Sequence, residues 1–350
     1  MVQHQLKLKI TPRQQRQLEH WLRHLTGVWN WAIKKIENDA SGGVYYTPKR
    51  FQNLLAGHGQ RIGVPSHTLQ GVLSVAHGSW RRCFNGLACK PRLKGRRNKL
   101  NSIPFPDPFN PPFNDRISIA GIGRVRYHKQ EIPAGKIKCG RIVKRASGWY
   151  LCLFIDAEPN AIPQMAHAQI GIDPGFKDLL ALSTGEKIEH PRELEATALR
   201  LAQAQRGTNR QLTARLQERN GNQRKDRNHK LSRQLVAENQ LIAFSADNHR
   251  NIARRFGKSV ASSSHGQLRS MLAYKCRIGG REYIEVPSRN STRTCSTCGA
   301  LSGPSGWAGL SVRLWTCAHC GAEHDRDVNA AVNTLKVGLG MSLEMSARAA

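Results

Sequence analysis

Acidic side chains are scarce in this sequence. Asp and Glu total 24 against 54 Lys and Arg, a formal charge of +30 and an isoelectric point near 10.5 over 350 residues. So lopsided a surface repels itself unless a polyanion covers it. Nucleic acid is therefore the leading partner class, with a ribosomal-type scaffold or a membrane-surface protein as the plainer readings. Long apolar runs are missing too. Nothing approaches the ~18 consecutive apolar residues of a membrane span, and the opening MVQHQLKLKITPRQQ has no signal-peptide core. The expectation is a soluble, cytoplasmic protein with no membrane partner. An even cysteine count is also lacking. Of nine cysteines, Cys83, Cys89, Cys139, Cys152 and Cys276 are scattered, which argues against a disulfide framework.

The other four are paired, as Cys295-x-x-Cys298 and Cys317-x-x-Cys320. Two such knuckles, 18 residues apart, match the ribbon spacing for tetrahedral Zn²⁺. A glycine comes directly after each knuckle, Gly299 and Gly321, and lets backbone N–H groups turn toward the sulfurs. Four thiolates leave no open coordination position, so this zinc is expected to be structural. The residues beyond the second knuckle are unusual for a metal ribbon: HDRDVNAA puts Asp325 and Asp327 close behind the cysteines, at the start of a predicted helix.

Along the chain, QLKLKI alternates as a strand, and Thr11-Pro12 opens a helix whose apolar face is Leu18, Leu22, Leu25, Trp29 and Ile33. Thr47-Pro48 and Pro65-Ser66 open two more, the latter carrying Leu69, Leu73, Ala76 and Trp80. These Trp and Leu residues are expected in the core. CKPRLKGRRNKL reads as a basic loop for phosphates, and PFPDPFNPPF as a connector that excludes helix. Strands then follow, including a hairpin turning at Ser147-Gly148, which suggests a small β-barrel interrupted by helices. AEPNAIPQMAHA, about residues 157–168, reads as a linker. Beyond it, AQIGIDPGFKDLLALST predicts two strands about a tight turn, with Asp173 closing the first. A long basic helical stretch comes next, bearing Arg200, Arg206, Arg210, Arg215, Arg219, Arg224, Lys225 and Arg227. Leu212, Leu216, Leu231 and Leu235 form its apolar side, and its one-signed charge suits phosphates.

Taken together, GIDPG, HKLSRQLV, the paired CxxC knuckles and HDRDVNAA resemble the transposon-encoded TnpB family, related to the type V CRISPR effectors. The likeness is dense over 165–335 and looser over 1–160, where TPKRF and the strand-helices-barrel order also fit. It implies an α/β plus β-barrel fold. An RNase H-like RuvC nuclease domain would occupy 165–350, with a four-cysteine zinc ribbon inserted at about 290–324. An OB-like wedge barrel would be built from 1–10 and 96–160, with a helical recognition domain, 11–95, inserted in it. It further implies a guide RNA from the transposon end, double-stranded and single-stranded target DNA, and a place at the prokaryotic nucleoid. Two catalytic Mg²⁺ ions would be held by carboxylates. By resemblance Asp173 matches the first RuvC aspartate and Asp327 the last, while Asp325 is a turn or cap residue.

One family feature is missing. The middle motif is a strand ending in Glu-Asp, but here the strand is LIAFSADN, with Ser245 in the glutamate's place. A serine hydroxyl does not replace an anionic ligand of Mg²⁺. Asp247, Glu282 and Glu285 are candidates to stand in. Glu285 is the preferred one, near the end of the strand REYIEVPS that should run beside the middle one. The expected magnesium set is therefore Asp173, Glu285 and Asp327, with Glu285 paired to a surface Arg as the plain alternative. If no acid stands in, the protein is an RNA-guided repressor that binds DNA without cutting. A weaker reading is an RNA-binding protein that processes or protects its transposon transcript.

Overall fold

A computed structural model of the chain describes residues 1–95, 98–158, 168–190, 193–246, 257, 259–305, 309, 311–341 and 343. The chain divides into two compact units, Met1–Pro159 and Asn160–Ala350. Most of the expected linker 157–168 lies outside the described residues, as does Asp247. No described helix is long and apolar enough to cross a membrane.

The first unit begins with strand β1 (Val2–Lys9) and helix α1 (Pro12–Ser41). Thr11 starts α1 with a capping box: its hydroxyl accepts from the Gln14 N–H, and the Gln14 side chain accepts from the Thr11 N–H. The Thr47 hydroxyl likewise caps α2 (Pro48–Asn53), before α3 (His58–Arg61) and α4 (Ser66–Phe84). The expected apolar faces of α1 and α4 are buried. Trp29 and Trp80 are core residues whose indole N–H groups donate to the carbonyls of Arg92 and Ile33 at 3.1 Å each. The Arg92 contact, with Asn30 bonded to Lys94 on both N–H and C=O, ties the basic loop to α1.

Strands β2 (Ser102–Phe105), β3 (Arg116–Ile119), β4 (Gly123–Tyr127), β5 (Lys136–Arg145) and β6 (Gly148–Asp156) complete this unit. With β1 they form an antiparallel sheet in the order β2-β5-β6-β1-β4-β3, and β5 meets β6 in a hairpin closed by Arg145 opposite Gly148. Its two ends, β2 and β3, are not paired with each other among the described residues, so the pairings show a six-stranded antiparallel sheet and leave the expected OB-like barrel a reading of it.

The second unit opens with β7 (Ala168–Pro174), β8 (Asp178–Leu182) and β9 (Lys187–Glu189). Two helices follow where one long stretch was expected, α5 (Glu193–Arg206) and α6 (Arg210–Glu238). Thr208, at φ 49°, breaks the run, and the Asn209 side chain restarts it by accepting from the Leu212 N–H. Then come β10 (Asn239–Ala246), α7 (His265–Gly279), β11 (Glu282–Pro287), the small hairpin β12 (Leu314–Thr316) and β13 (Glu323–Asp325), and α8 (Arg326–Gly338).

The main sheet has the order β11-β10-β7-β8-β9, with β10 parallel to both neighbours and β8 and β9 antiparallel additions. Its faces are covered differently. Ile170, Ile172, Ile242 and Phe244 pack with Leu235, Val236, Leu268 and Leu272 of α6 and α7. The opposite face packs Leu241, Ala243 and Val286 against Leu335 of α8. Gly171 permits that approach: a Cβ there would lie 2.1 Å from the Ala331 carbonyl oxygen of α8.

Candidate active site and metal centre

Side-chain parity decides which residues can meet on this sheet, because residues directly opposite one another on paired strands point to the same face. The register aligns Phe244 with Ile172 on one side and Glu285 on the other, so Ser245 aligns with Val286 and, one step beyond the last paired residues, with Asp173. Asp173 in turn opposes Ala181, and Ala181 opposes Lys187. Val286, Ser245, Asp173, Ala181 and Lys187 thus form one row across all five strands, on the face that carries α8. Asp173 lies on the central strand of that row.

α8 brings the second acid to this face. Asp325 is its N-cap, accepting from the N–H groups of Asp327 and Val328 at 3.0 and 3.1 Å. Asp327 sits in the first turn, where the helix dipole favours negative charge. Lys187 Nζ reaches Asp325 Oδ2 at 2.6 Å, Asp178 Oδ2 at 3.9 Å and Asp327 Oδ2 at 4.0 Å. Arg313 donates to Asp327 Oδ2 at 3.1 Å. Burial alone would raise the Asp325 carboxyl, but the Lys187 ammonium and the two N–H groups outweigh it and hold the group below the ordinary carboxylate value.

Glu285 does not join them, which corrects the expectation for it. Its row-mates Phe244 and Ile172 face α6 and α7, so Glu285 points away from Asp173. There it forms a bidentate ion pair with Arg269 of α7, together with a 3.3 Å hydrogen bond from the Tyr283 hydroxyl. β11 does lie beside β10, as expected, but the phase of the strand turns Glu285 to the other face. Glu282 has the right parity but lies opposite Leu241, four residues, or roughly 13 Å, back along the strand from the Ser245 row. Ser245 itself is fully buried, and its hydroxyl has no hydrogen-bond partner among the described residues.

The cysteines do converge. The Sγ atoms of Cys295, Cys298, Cys317 and Cys320 all lie within 4.8 Å of one another. Cys295 to Cys320 and Cys298 to Cys317 are both 3.7 Å, close to the about 3.8 Å edge of a tetrahedron with ~2.3 Å Zn–S bonds. The knuckles are built alike. In each, the first Cys N–H donates to the carbonyl five residues on and its carbonyl accepts from the glycine N–H, with Gly299 at φ 79° and Gly321 at φ 74°. The donor set fits Zn²⁺. Carboxylates are the donors that a hard Mg²⁺-type ion takes; the expected set of Asp173, Glu285 and Asp327 is not assembled on the α8 face among the described residues.

The knuckle and the acidic helix are fastened together by residues the sequence reading overlooked. Asn329 Nδ2 donates to the carbonyls of Ser291 and Thr294, and Asn333 Nδ2 repeats both contacts one turn later. Asn329 Oδ1 accepts from the Ser296 N–H at 2.8 Å. Two asparagines four apart in an Ala/Val helix, DVNAAVN, are the signal that marks them. Lys187 and Arg313 carried no comparable signal.

Two family models match the chain: "Probable transposase" over residues 155–246 and "Cas12f1-like, TNB domain" over 265–334. A protein of Streptomyces pristinaespiralis described as a "Putative RNA-guided DNA endonuclease" is 38% identical over 299 residues, covering 80% of this chain and 73% of that one. The Escherichia coli K12 "Putative RNA-guided DNA endonuclease InsQ" is 23% identical over 304 residues, 78% and 75% of the two chains. "TnpB-like protein L79" of Acanthamoeba polyphaga mimivirus is 28% identical over 198 residues, 48% and 37%. Among solved structures, a cryo-EM Cas12f1–sgRNA–target DNA complex is similar at 15% identity and a TM-score of 0.37, covering 96% of this chain and 99% of that one.

Proposed function

The chain belongs to the TnpB family of RNA-guided DNA endonucleases, and from that premise we propose that it binds a guide RNA from its transposon end and cuts DNA matched to that guide. What supports this reading is the seating of α8, whose first turn carries Asp327, against Gly171, two residues before Asp173 on the same face of the sheet. We read 165–350 as a RuvC-like nuclease domain with its zinc ribbon at about 290–324. The strands of 1–10 and 96–160 are read as the wedge, with 11–95 as the helical recognition insert.

Asp173 and Asp327 are the assigned ligands of a catalytic Mg²⁺, which when bound supplies Lewis-acid stabilisation of phosphate charge and activation of water. Glu285 is not carried into this assignment. The chain's own contribution is to fix the two carboxylates: Asp173 on a central strand, Asp327 on a helix pinned by Asn329, Asn333 and the Asp325 cap. Cys295, Cys298, Cys317 and Cys320 hold a structural Zn²⁺ that keeps the first turn of α8 in place. Exposed Arg200, Arg206, Arg210, Arg215, Arg219 and Lys225 on α5 and α6 supply charge for RNA and DNA phosphates.

The test is to incubate the purified RNA–protein complex with a plasmid bearing the matched target, with and without Mg²⁺. Conversion of supercoiled to linear DNA only with Mg²⁺ supports the proposal. The repressor reading is favoured by one observation, the buried, unpartnered Ser245 where the family has its glutamate. Tight, guide-dependent target binding with no cutting in Mg²⁺ selects it instead.

A further inference from the structure

The four clustered sulfurs are not equivalent. Cys295 and Cys317, the first residues of their knuckles, are only 1% and 2% exposed, whereas Cys298 is half-buried and Cys320 is exposed. Each buried sulfur also has a side-chain partner from outside the cluster. His324 Nε2 lies 3.0 Å from Cys295 Sγ, and Ser302 Oγ lies 3.0 Å from Cys317 Sγ. A metal-bound thiolate carries no proton, so the imidazole N–H and the hydroxyl are the donors. The His324 ring is held for this against Trp315, its partner across the β12–β13 hairpin, with 4.7 Å between ring centroids. Cys317 also accepts from the N–H groups of His319 and Cys320, while Cys320 accepts from that of Ala322. Among the described residues, no side chain outside the cluster donates to Cys298 or Cys320. Hydrogen bonds draw charge out of a thiolate and burial bars its approach, so oxidation favours the exposed, less shielded sulfur.

We propose that Cys320 is an oxidation site: hydrogen peroxide enters the cluster there, and the reaction ends in a Cys295–Cys320 disulfide that releases the metal. The inference rests on the reading of these four cysteines as a zinc site. In the first step the Cys320 thiolate attacks one peroxide oxygen. An S–O bond forms, the O–O bond breaks, and the departing hydroxide takes up a proton to become water. The sulfur is oxidised by two electrons and the peroxide reduced by two, leaving a sulfenic acid. Cys295 Sγ, 3.7 Å away, then attacks the Cys320 sulfur. The S–S bond forms, the S–O bond breaks, and a second hydroxide leaves and is protonated. In sum, two thiolates, one peroxide and two protons give one disulfide and two waters. Both knuckles thereby lose a ligand. Ser296, next to Cys295, donates its N–H to Asn329 and accepts from Lys336 at its carbonyl, so the change reaches the helix that carries Asp327.

The experiment treats the full-length protein, its zinc content measured beforehand, with hydrogen peroxide. A chromophoric chelator follows released Zn²⁺, and dimedone traps sulfenic acids at early times for peptide mass spectrometry. Of the four clustered cysteines, Cys320 should be trapped first. A Cys295–Cys320 disulfide should follow, with about one Zn²⁺ released for each disulfide formed. Cys320→His keeps a three-cysteine, one-histidine donor set and should release zinc about tenfold more slowly than Cys298→His. If either variant fails to hold zinc, the order of trapping in the parent decides alone. First trapping at Cys295, Cys298 or Cys317, a disulfide between any other two of the four, or zinc retained after Cys320 is oxidised would each overturn the inference. Folded protein that holds no zinc before peroxide is added refutes the metal reading, and this inference with it. Zinc-loaded protein that oxidises first at another of the four sulfurs refutes the inference and leaves the metal reading standing.

Discussion

The four-cysteine cluster and the carboxylate face meet on the same helix, yet they are assembled in opposite ways. Each knuckle is a closed local turn, and its two sulfurs are positioned by hydrogen bonds within six residues of chain. The acids come in two sequence-distant pairs, Asp173 and Asp178 from β7 and β8 and Asp325 and Asp327 from the β13–α8 junction, and share a face only because strand register and helix seating agree. A local constellation is fixed by spacing. A distributed one is fixed by parity, where one step along a strand sends a side chain to the other face.

That contrast is sharpest between Asp173 or Asp327 and Glu285. Asp173→Asn and Asp327→Asn should each reduce plasmid cleavage to background while guide-dependent binding, measured by gel shift, stays near the parent's. Next in size is the metal centre. Cys317→Ser should lose the zinc measured by mass spectrometry. It should also cost roughly 4 kcal/mol or more, a fall of about 10 °C in melting temperature, and open the region around α8 to protease. Gly171→Ala tests the seating of the helix. The new methyl meets backbone at the Ala331 carbonyl, so a loss of about 1–3 kcal/mol is expected in urea unfolding, with reduced cleavage.

A smaller effect is expected at Asp325. Its folded-state pKa is lowered, so its contribution is present above the ordinary carboxylate value and is lost as pH falls through the lower folded value. Asp325→Asn keeps the cap but not the charge, and should flatten the stability–pH curve below about pH 4. Smallest of all is Glu285→Gln, which removes a partly exposed ion pair with Arg269. It should change stability by no more than ~1 kcal/mol and leave cleavage at the parent's rate. Loss of cleavage in Glu285→Gln would break the comparison outright.

The sequence made some of this legible and hid the rest for physical reasons. Thr11-Pro12 and Thr47-Pro48 announced helix starts because capping is a contact between residues three apart. The paired CxxC knuckles announced a metal cluster for the same local reason. HDRDVNAA announced the cap and the helix, and Asp325 is indeed the cap. The long basic stretch concealed its break, because Thr208 adopts a left-handed conformation that its composition does not advertise. Glu285 misled because strand adjacency was readable and strand phase was not: fixing the phase needs the pairing of Phe244 with both neighbours. Lys187 was invisible as one lysine among the 54 basic residues, its three carboxylates lying 9 to 140 positions away.

The direct passage from β13 into α8 has a consequence for how this chain tolerates changes of length. Strand and helix share a junction at Asp325–Arg326 with no loop between them, so Cys320 and Asp327 are separated by an unbroken hairpin arm and half a helical turn. One residue inserted after Asp325 would rotate Asp327 by about 100° around the helix axis and carry it roughly 1.5 Å along it. The thiols would remain matched while the acid swung off the sheet. Indels that preserve the metal cluster can therefore still silence the carboxylate face, and the spacing from Cys320 to Asp327 should be among the least variable lengths in the second unit.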